Sequence, residues 1–280
     1  MNRVILKERL VPNIYRLVLE APEIAASAQA GQFAMVIPDE RGERIPLNIA
    51  DWDRQKGTID LVFLNIGAST RKLADFKAGD SVEGIAGPLG KPVEICSSSN
   101  VLLVGGCYGI AGLYSVAREL CHLRNKVLFL AEARGSAFLY WEEKIKKYSE
   151  VYQTILRSDC FNTGQDIKDK INQIKSGQPE PSLVIVSGCS YLLYKISEIT
   201  AGSRLRTLVN LNPIMVDGTG MCGACRVTVQ GKTRFACVDG PWFDGHSLDW
   251  KEYFIRRTAF LQQEAQALTG LEKEFWTKMG

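Results

Sequence analysis

The chain has 280 residues, 34 basic against 31 acidic, and a formal charge of +3. That length is more than one core fills and implies two or three domains, while the near balance of charge excludes a field strong enough to recruit nucleic acid or a membrane surface. Charges at Arg3, Lys7, Glu8, Arg9 and Arg16 interrupt the N-terminal stretch, so neither a signal-peptide core nor an apolar span runs through it, and a cytoplasmic protein without membrane insertion is expected.

Residues 1–95 alternate short β-rich runs with turn residues: Val4 to Leu6, Ile14 to Leu19, Phe33 to Ile37, Ile59 to Leu64 and Ser81 to Ile85. This pattern predicts an antiparallel β-barrel. Within it, GERIPLNIADWD sets Arg44 beside a Pro-fixed extended segment. An Arg there can grip a pyrophosphate in bidentate fashion, although a structural ion pair is the plainer role. GAST at 67–70 can open a short helix whose amides and hydroxyls receive the same pyrophosphate.

Residues 96–209 change texture. VLLVGG, KVLFLAEA and SLVIVSG are near-continuous apolar runs followed by helical stretches, as a parallel sheet covered on both faces requires. The first run ends in GGCYGIAGL, with Gly105, Gly106, Gly109 and Gly112. Such a strand-to-helix turn serves either phosphate binding or close helix packing, and Cys107 stands where a second Gly of the usual dinucleotide fingerprint would be. SGCS at 187–190 brings Cys189 to the same crevice, as a site residue or as an inert thiol. Glu132 suits ribose hydroxyls and Arg134 a 2′-phosphate, so NAD and NADP are not separated. SSSN at 97–100 and SGQPEPS at 176–182 read as surface connections.

Residues 210–250 form a short, Gly-rich, Cys-rich segment that needs a metal or cross-link to hold itself together. Cys222, Cys225 and Cys237 follow C-x2-C-x11-C, and Asp217 falls where plant-type [2Fe-2S] sites carry a further Cys. This predicts a [2Fe-2S] cluster on one Asp and three Cys; structural zinc on the same groups and free buried thiols are the competing readings. Gly218, Gly220 and Gly223 let the backbone curl around an inorganic core. The tail, 251–280, spaces Phe254, Leu261, Ala265, Leu268, Leu271 and Phe275 as an amphipathic helix that either covers the chain's own domains or docks on a partner.

RIPL, GAST, GGCYGIAGL and the cluster segment, in that order, resemble the ferredoxin-NADP reductase superfamily over essentially the whole chain. LNPIMVDGTGMCGACRVTV with FACVDGPWFDGH narrows the resemblance to the small subunits of NADH-dependent reduced ferredoxin:NADP oxidoreductases of the sulfide dehydrogenase type. Electron-transfer subunits of dihydroorotate dehydrogenase are more distant, with Cys in place of Asp217. The resemblance implies an FAD-binding barrel, an NAD(P)-binding α/β domain and a cluster facing a larger flavin and iron–sulfur partner subunit. It implies FAD contacts at Arg44, Ile45, Pro46, Leu47, Leu61, Val62, Phe63, Gly67, Ser69 and Thr70, and nucleotide contacts at Gly106, Gly109, Ile110, Arg134 and Asp159. The chain departs from its relatives at Cys107 and Tyr108, and at Cys189 and Ser190, where a Gly-Pro pair followed by Met is common. The implied function is to pass electrons between NAD(H) or NADP(H), FAD and the cluster, and on to a partner in an electron-bifurcating complex. No catalytic side chain is expected, because hydride transfer between stacked rings needs no acid or base. A sulfide- or hydrogenase-linked reductase subunit, and an electron-transfer adaptor with a silent nucleotide site, are the alternatives.

Overall fold

The computed structural model describes residues 2–95, 97, 99–156, 163–175, 180–203 and 205–269. The N-terminal half is an antiparallel sheet in the order β1 (Val4–Val11), β2 (Ile14–Glu20), β5 (Thr58–Leu64), β4 (Ile45–Asp53), β3 (Phe33–Ile37) and β6 (Gly84–Leu89), with helices α1 (Pro22–Ser27) and α2 (Ala68–Asp75). It closes where Arg3 bridges Ser81 and the Val4 amide donates to the Asp80 carbonyl at 2.7 Å. The period-2 alternation of TIDLVFL sends Ile59, Leu61 and Phe63 into the barrel core, with Leu17, Leu19 and Ile49. Asp60 points out and holds the Arg16 guanidinium at 2.7 Å.

The second half begins with β7 (Asn100–Gly106), a helix broken into α3 (Gly109–Gly112) and α4 (Tyr114–His122), β8 (Lys126–Ala133), α5 (Glu142–Lys146) and β9 (Val151–Leu156). It continues with α6 (Thr163–Lys175), β10 (Leu183–Ser187), α7 (Ser190–Thr200) and β11 (Arg206–Asn210). A hairpin, β12 (Arg226–Val229) and β13 (Lys232–Phe235), precedes β14 (Trp242–Asp244) and α8 (Trp250–Arg257). The strand order is β14-β11-β10-β7-β8-β9, parallel except for β14. Strands β7, β8 and β10 are covered on both faces, which is why they read as unbroken apolar runs. The chain leaves β7 toward β8 and β9 and then returns to β10 on its other side, so the topological switch point lies between β7 and β10.

Strand β14 comes from the C-terminal segment yet completes this sheet, and the Trp242 indole donates to the Gly31 carbonyl of the barrel at 2.8 Å. Of the two readings of the tail, cover for the chain's own domains holds only over its first turns. Tyr253 on α8 is buried, but Ile255, Phe260 and Leu261 are exposed, and residues 261–269 continue as helix. Leu271 and Phe275 lie outside the described residues. Among the described residues no helix is long and apolar enough to cross a membrane.

The two halves are riveted at Asp51 of β4, which pairs with Arg118 of α4 and, at 3.1 Å, with Lys144 of α5. Both cations also sit over aromatic faces, Arg118 4.6 Å from the Trp52 ring and Lys144 4.0 Å from that of Trp141. Replacing Asp51 by Ala strands two cations at a half-buried seam. The expected loss is about 2 kcal/mol of unfolding free energy in urea, between the exposed-pair and buried-pair regimes; a loss no larger than that from breaking the exposed Arg206–Glu94 pair would contradict this role.

Candidate functional site

Three features meet along the seam between the halves. The first is a notch in the barrel. β4 pairs with β3 from Ile45 to Asn48, but its ladder with β5 begins only at Ile49 opposite Leu61. Among the described residues, the β5-facing edge of 45–48 therefore has no strand partner, which leaves backbone N–H and C=O groups for a planar polar ligand. Arg44 is exposed at the mouth of this segment; Ile45 and Pro46 are half-buried and Leu47 is buried. Leu61 and Phe63 are spent on the barrel core and Val62 on the core beneath the α/β sheet, so those three residues offer backbone only. Gly67 caps α2, with its amide donating to Thr70 Oγ1 at 2.9 Å and the Thr70 hydroxyl donating back to the Gly67 carbonyl at 3.0 Å. Ser69 is buried.

The second feature is the Gly-rich turn. Gly109 opens α3 directly against the Ser187 carbonyl, and a Cβ on Gly188 would come within 2.9 Å of the Gly106 carbonyl. The carboxyl edges of β7 and β10 are thus in backbone contact at the switch point. Ile110 is fully buried, and its amide donates to the Cys107 carbonyl at 3.3 Å. Glu132 is buried beneath Gly106, whereas Arg134 is exposed. Asp159 lies outside the described residues. Asn48, next to the RIPL run, lies over Gly112, where a Cβ would stand 3.1 Å from its Nδ2, and Ser187 Oγ is buried beside them with no hydrogen-bond partner among the described residues.

The third feature is the cysteine loop. Cys225 and Cys237 are buried with their sulfurs 3.2 Å apart, and the Cys237 amide points at the Cys225 sulfur at 3.4 Å. Burial, then the hydrogen bond with Cys225, pushes the Cys237 thiol up to about 12, so this thiol stays protonated unless a cation takes the proton's place. Cys222 is exposed on the loop, and the Ala224 amide approaches its sulfur at 3.5 Å. Asp217 accepts the amides of Thr219 and Cys222, each at 2.9 Å, and these backbone bonds hold its carboxyl below the usual carboxylate range. Among the described residues no three Cys, His, Asp or Glu side chains close into a complete ligand set. The buried thiol pair, amides aimed at sulfur and left-handed glycines at 218, 220 and 223 fit a soft, bulky inorganic group.

Sequence reasoning missed the residues that join these features. Tyr108 stood out only as a departure. Asn212, Tyr253 and Asn48 carry no local signal, because their roles arise from contacts across long stretches of chain.

A protein of Thermotoga maritima described as a dihydroorotate dehydrogenase B (NAD(+)) electron transfer subunit homolog is 35% identical, over 94% of this chain and 93% of its own. This chain belongs to the family of that subunit and its homologues. Residues 212–249 match the iron–sulfur cluster binding domain of dihydroorotate dehydrogenase B. Another family relative, from Clostridium beijerinckii and described as an uncharacterized protein in the adh 3′ region, is 37% identical over 98% of this chain and 95% of its own. Among solved structures, a chain of the NADH-dependent reduced ferredoxin-NADP oxidoreductase, reported in connection with flavin-based electron bifurcation, superposes with a TM-score of 0.89. It has 34% identity and coverage of 97% of this chain and 98% of that one. Phthalate dioxygenase reductase, with 13% identity and a TM-score of 0.60 over 89% of this chain and 97% of its own, shares the fold.

Proposed function

We propose that this chain is an electron-transfer subunit that moves electrons between a nicotinamide nucleotide, FAD and a [2Fe-2S] cluster, and on to a larger flavin and iron–sulfur partner in a ferredoxin:NAD(P) oxidoreductase. The observation that carries this reading is the convergence of the three features on residues 46–48. Gly218 of the cysteine loop packs on Met35, where a Cβ would meet the Met35 side chain at 2.7 Å, and Met35 is the cross-strand partner of Pro46. Asn48 reaches the Gly-rich turn from the same strand.

FAD suits this junction because it exchanges two electrons with a nicotinamide and single electrons with an iron–sulfur cluster. The chain's own residues hold and orient. The unpaired edge of Ile45–Asn48 would grip the flavin ring, Arg44 and the Gly67–Thr70 turn its pyrophosphate. Gly106 and Gly109 would let a nucleotide approach the switch point, with Arg134 on its rim. Cys222, Cys225, Cys237 and Asp217 would hold the cluster.

Docking of the partner over the cysteine loop is supported by Val216, Met221 and Val238, which are exposed there; Met221 is 88% exposed. Met221→Glu is expected to weaken partner capture at least tenfold while leaving iron and flavin contents unchanged. Equal capture by the variant would move the interface elsewhere.

The direct test is an anaerobic optical and EPR titration of the purified protein with NADH and then NADPH. Expected are one FAD and about two irons per chain, with flavin bleaching and a reduced-cluster signal from one of the nucleotides. Zinc in place of iron would refute the cluster, and a flavin that neither nucleotide reduces would leave the adaptor reading.

A further inference from the structure

The crevice at the switch point is spanned by a side chain. Tyr108 follows Cys107, whose φ of 55° is left-handed, and its phenol runs from the β7 turn to the β10 turn, donating to the Gly188 carbonyl at 2.9 Å. The same oxygen accepts a hydrogen bond from Asn212 Nδ2. Asn212 Oδ1 in turn accepts from the Tyr253 hydroxyl at 2.6 Å and the Ser190 hydroxyl at 3.2 Å, and those two hydroxyls lie 3.1 Å apart. One amide therefore ties together the Gly-rich turn, the start of α7, the entry to the cysteine segment and α8. Burial raises both phenols far from ionisation, so they act as neutral hydrogen-bonding groups.

Space and chemistry at the crevice set what a ligand must do. Gly109 already touches Ser187 and Gly106 lies near Gly188, so the two turns cannot close further. The phenol bridges them through its bond to the Gly188 carbonyl. A nicotinamide carboxamide carries an N–H donor that can replace the Tyr108 hydroxyl on the Gly188 carbonyl.

We propose that Tyr108 is a gate on the nucleotide crevice and Asn212 the link that transmits its position. A nicotinamide nucleotide entering at the switch point displaces the Tyr108 hydroxyl from Gly188, removes one of the three hydrogen bonds on the Asn212 side chain, and loosens the segment that carries the cysteines. Tyr108 and Asn212 are positioning residues. The inference rests on the nucleotide reading above and adds to it a coupling between nucleotide occupancy and the cysteine segment. Linkage makes that coupling reciprocal: whatever loosens the latch tightens nucleotide binding by the same factor.

The test is amide hydrogen exchange of the whole protein, cofactors in place, with and without saturating NAD+ and NADP+, beside the nucleotide Kd from flavin fluorescence. In the wild type, nucleotide is expected to speed exchange in 212–225 and in α8. Tyr108→Phe deletes only the hydroxyl. It is expected to bind nucleotide about 5- to 150-fold more tightly, the worth of the two neutral hydrogen bonds that the hydroxyl makes, and to show fast exchange in 212–225 before nucleotide is added, with no further response. Tyr253→Phe leaves the bond to Gly188 in place and is expected to shrink the response of α8. Nucleotide that binds the wild type without changing exchange in 212–225, or a Tyr108→Phe variant with wild-type Kd and response, overturns the coupling alone. If neither protein binds either nucleotide, the nucleotide reading itself falls and the gate with it.

Discussion

Replacing Cys225 by Ala is expected to take iron from about two atoms per chain to background and to abolish the reduced-cluster EPR signal. Flavin reduction by nucleotide should persist, because the barrel notch and the Gly-rich turn are built from other elements. The size of the effect follows from the loop's construction. Between Leu211 and β14 the chain has only the short β12–β13 hairpin as regular structure, and Cys225 with Cys237 and Val227 forms much of what it buries. A segment that small draws its folding energy from the metal. Loss of iron should therefore be accompanied by protease sensitivity between residues 212 and 240. A Cys225→Ala protein that retained its full iron content would place the cluster on other residues. Asp217 needs a finer test, since its carboxylate accepts two backbone amides and is also the fourth ligand we propose. Asp217→Cys exchanges the carboxylate for a thiolate at that position, the ligand type of the other three residues. An altered cluster spectrum in that variant would assign Asp217 as a ligand, and an unchanged one would assign it to the turn alone.

Much of the fold was legible because the two halves obey different periodicities. TIDLVFL alternates, one face in the barrel and one out, whereas VLLVGG, KVLFLAEA and SLVIVSG do not alternate, being covered on both faces. β14 left no such trace: three residues, WFD, join the sheet through pairing with β11 and through the Trp242 bond to Gly31. The tail's apolar spacing did not say whether the stripe meets the chain's own domains or a partner, and only its first turns are covered by the chain itself. At the site, the glycine turns were readable because their left-handed or closely packed backbone requires that residue type. The notch was not, because it is made by an absence of pairing between β4 and β5. Nor was the Tyr108–Asn212–Tyr253 chain, whose hydrogen bonds join residues 104 and 41 positions apart.

Gly109→Ala is expected to cost on the order of 100-fold in the rate of flavin reduction by nucleotide, the effect of displacing reacting groups by about an ångström. It is also expected to cost about 1–3 kcal/mol of stability through overpacking. The new methyl would land on the Ser187 carbonyl and the Gly188 amide, which are backbone atoms with no rotamer to escape into. The turn after β7 and the turn after β10 must then separate, carrying Tyr108 away from Gly188 and Gly112 away from Asn48. Both displacements act where the proposed flavin notch meets the proposed nucleotide crevice, so ring stacking is expected to suffer even if each cofactor still binds. Stopped-flow flavin reduction reads the rate and urea unfolding reads the stability, with FAD content as the control. Alanine at Gly135, where the added Cβ meets nothing within 4 Å, should change neither. If Gly109→Ala reduced its flavin at the wild-type rate, contact between the two turns would have no part in nucleotide chemistry, and the switch-point crevice would have to be abandoned as the nucleotide site.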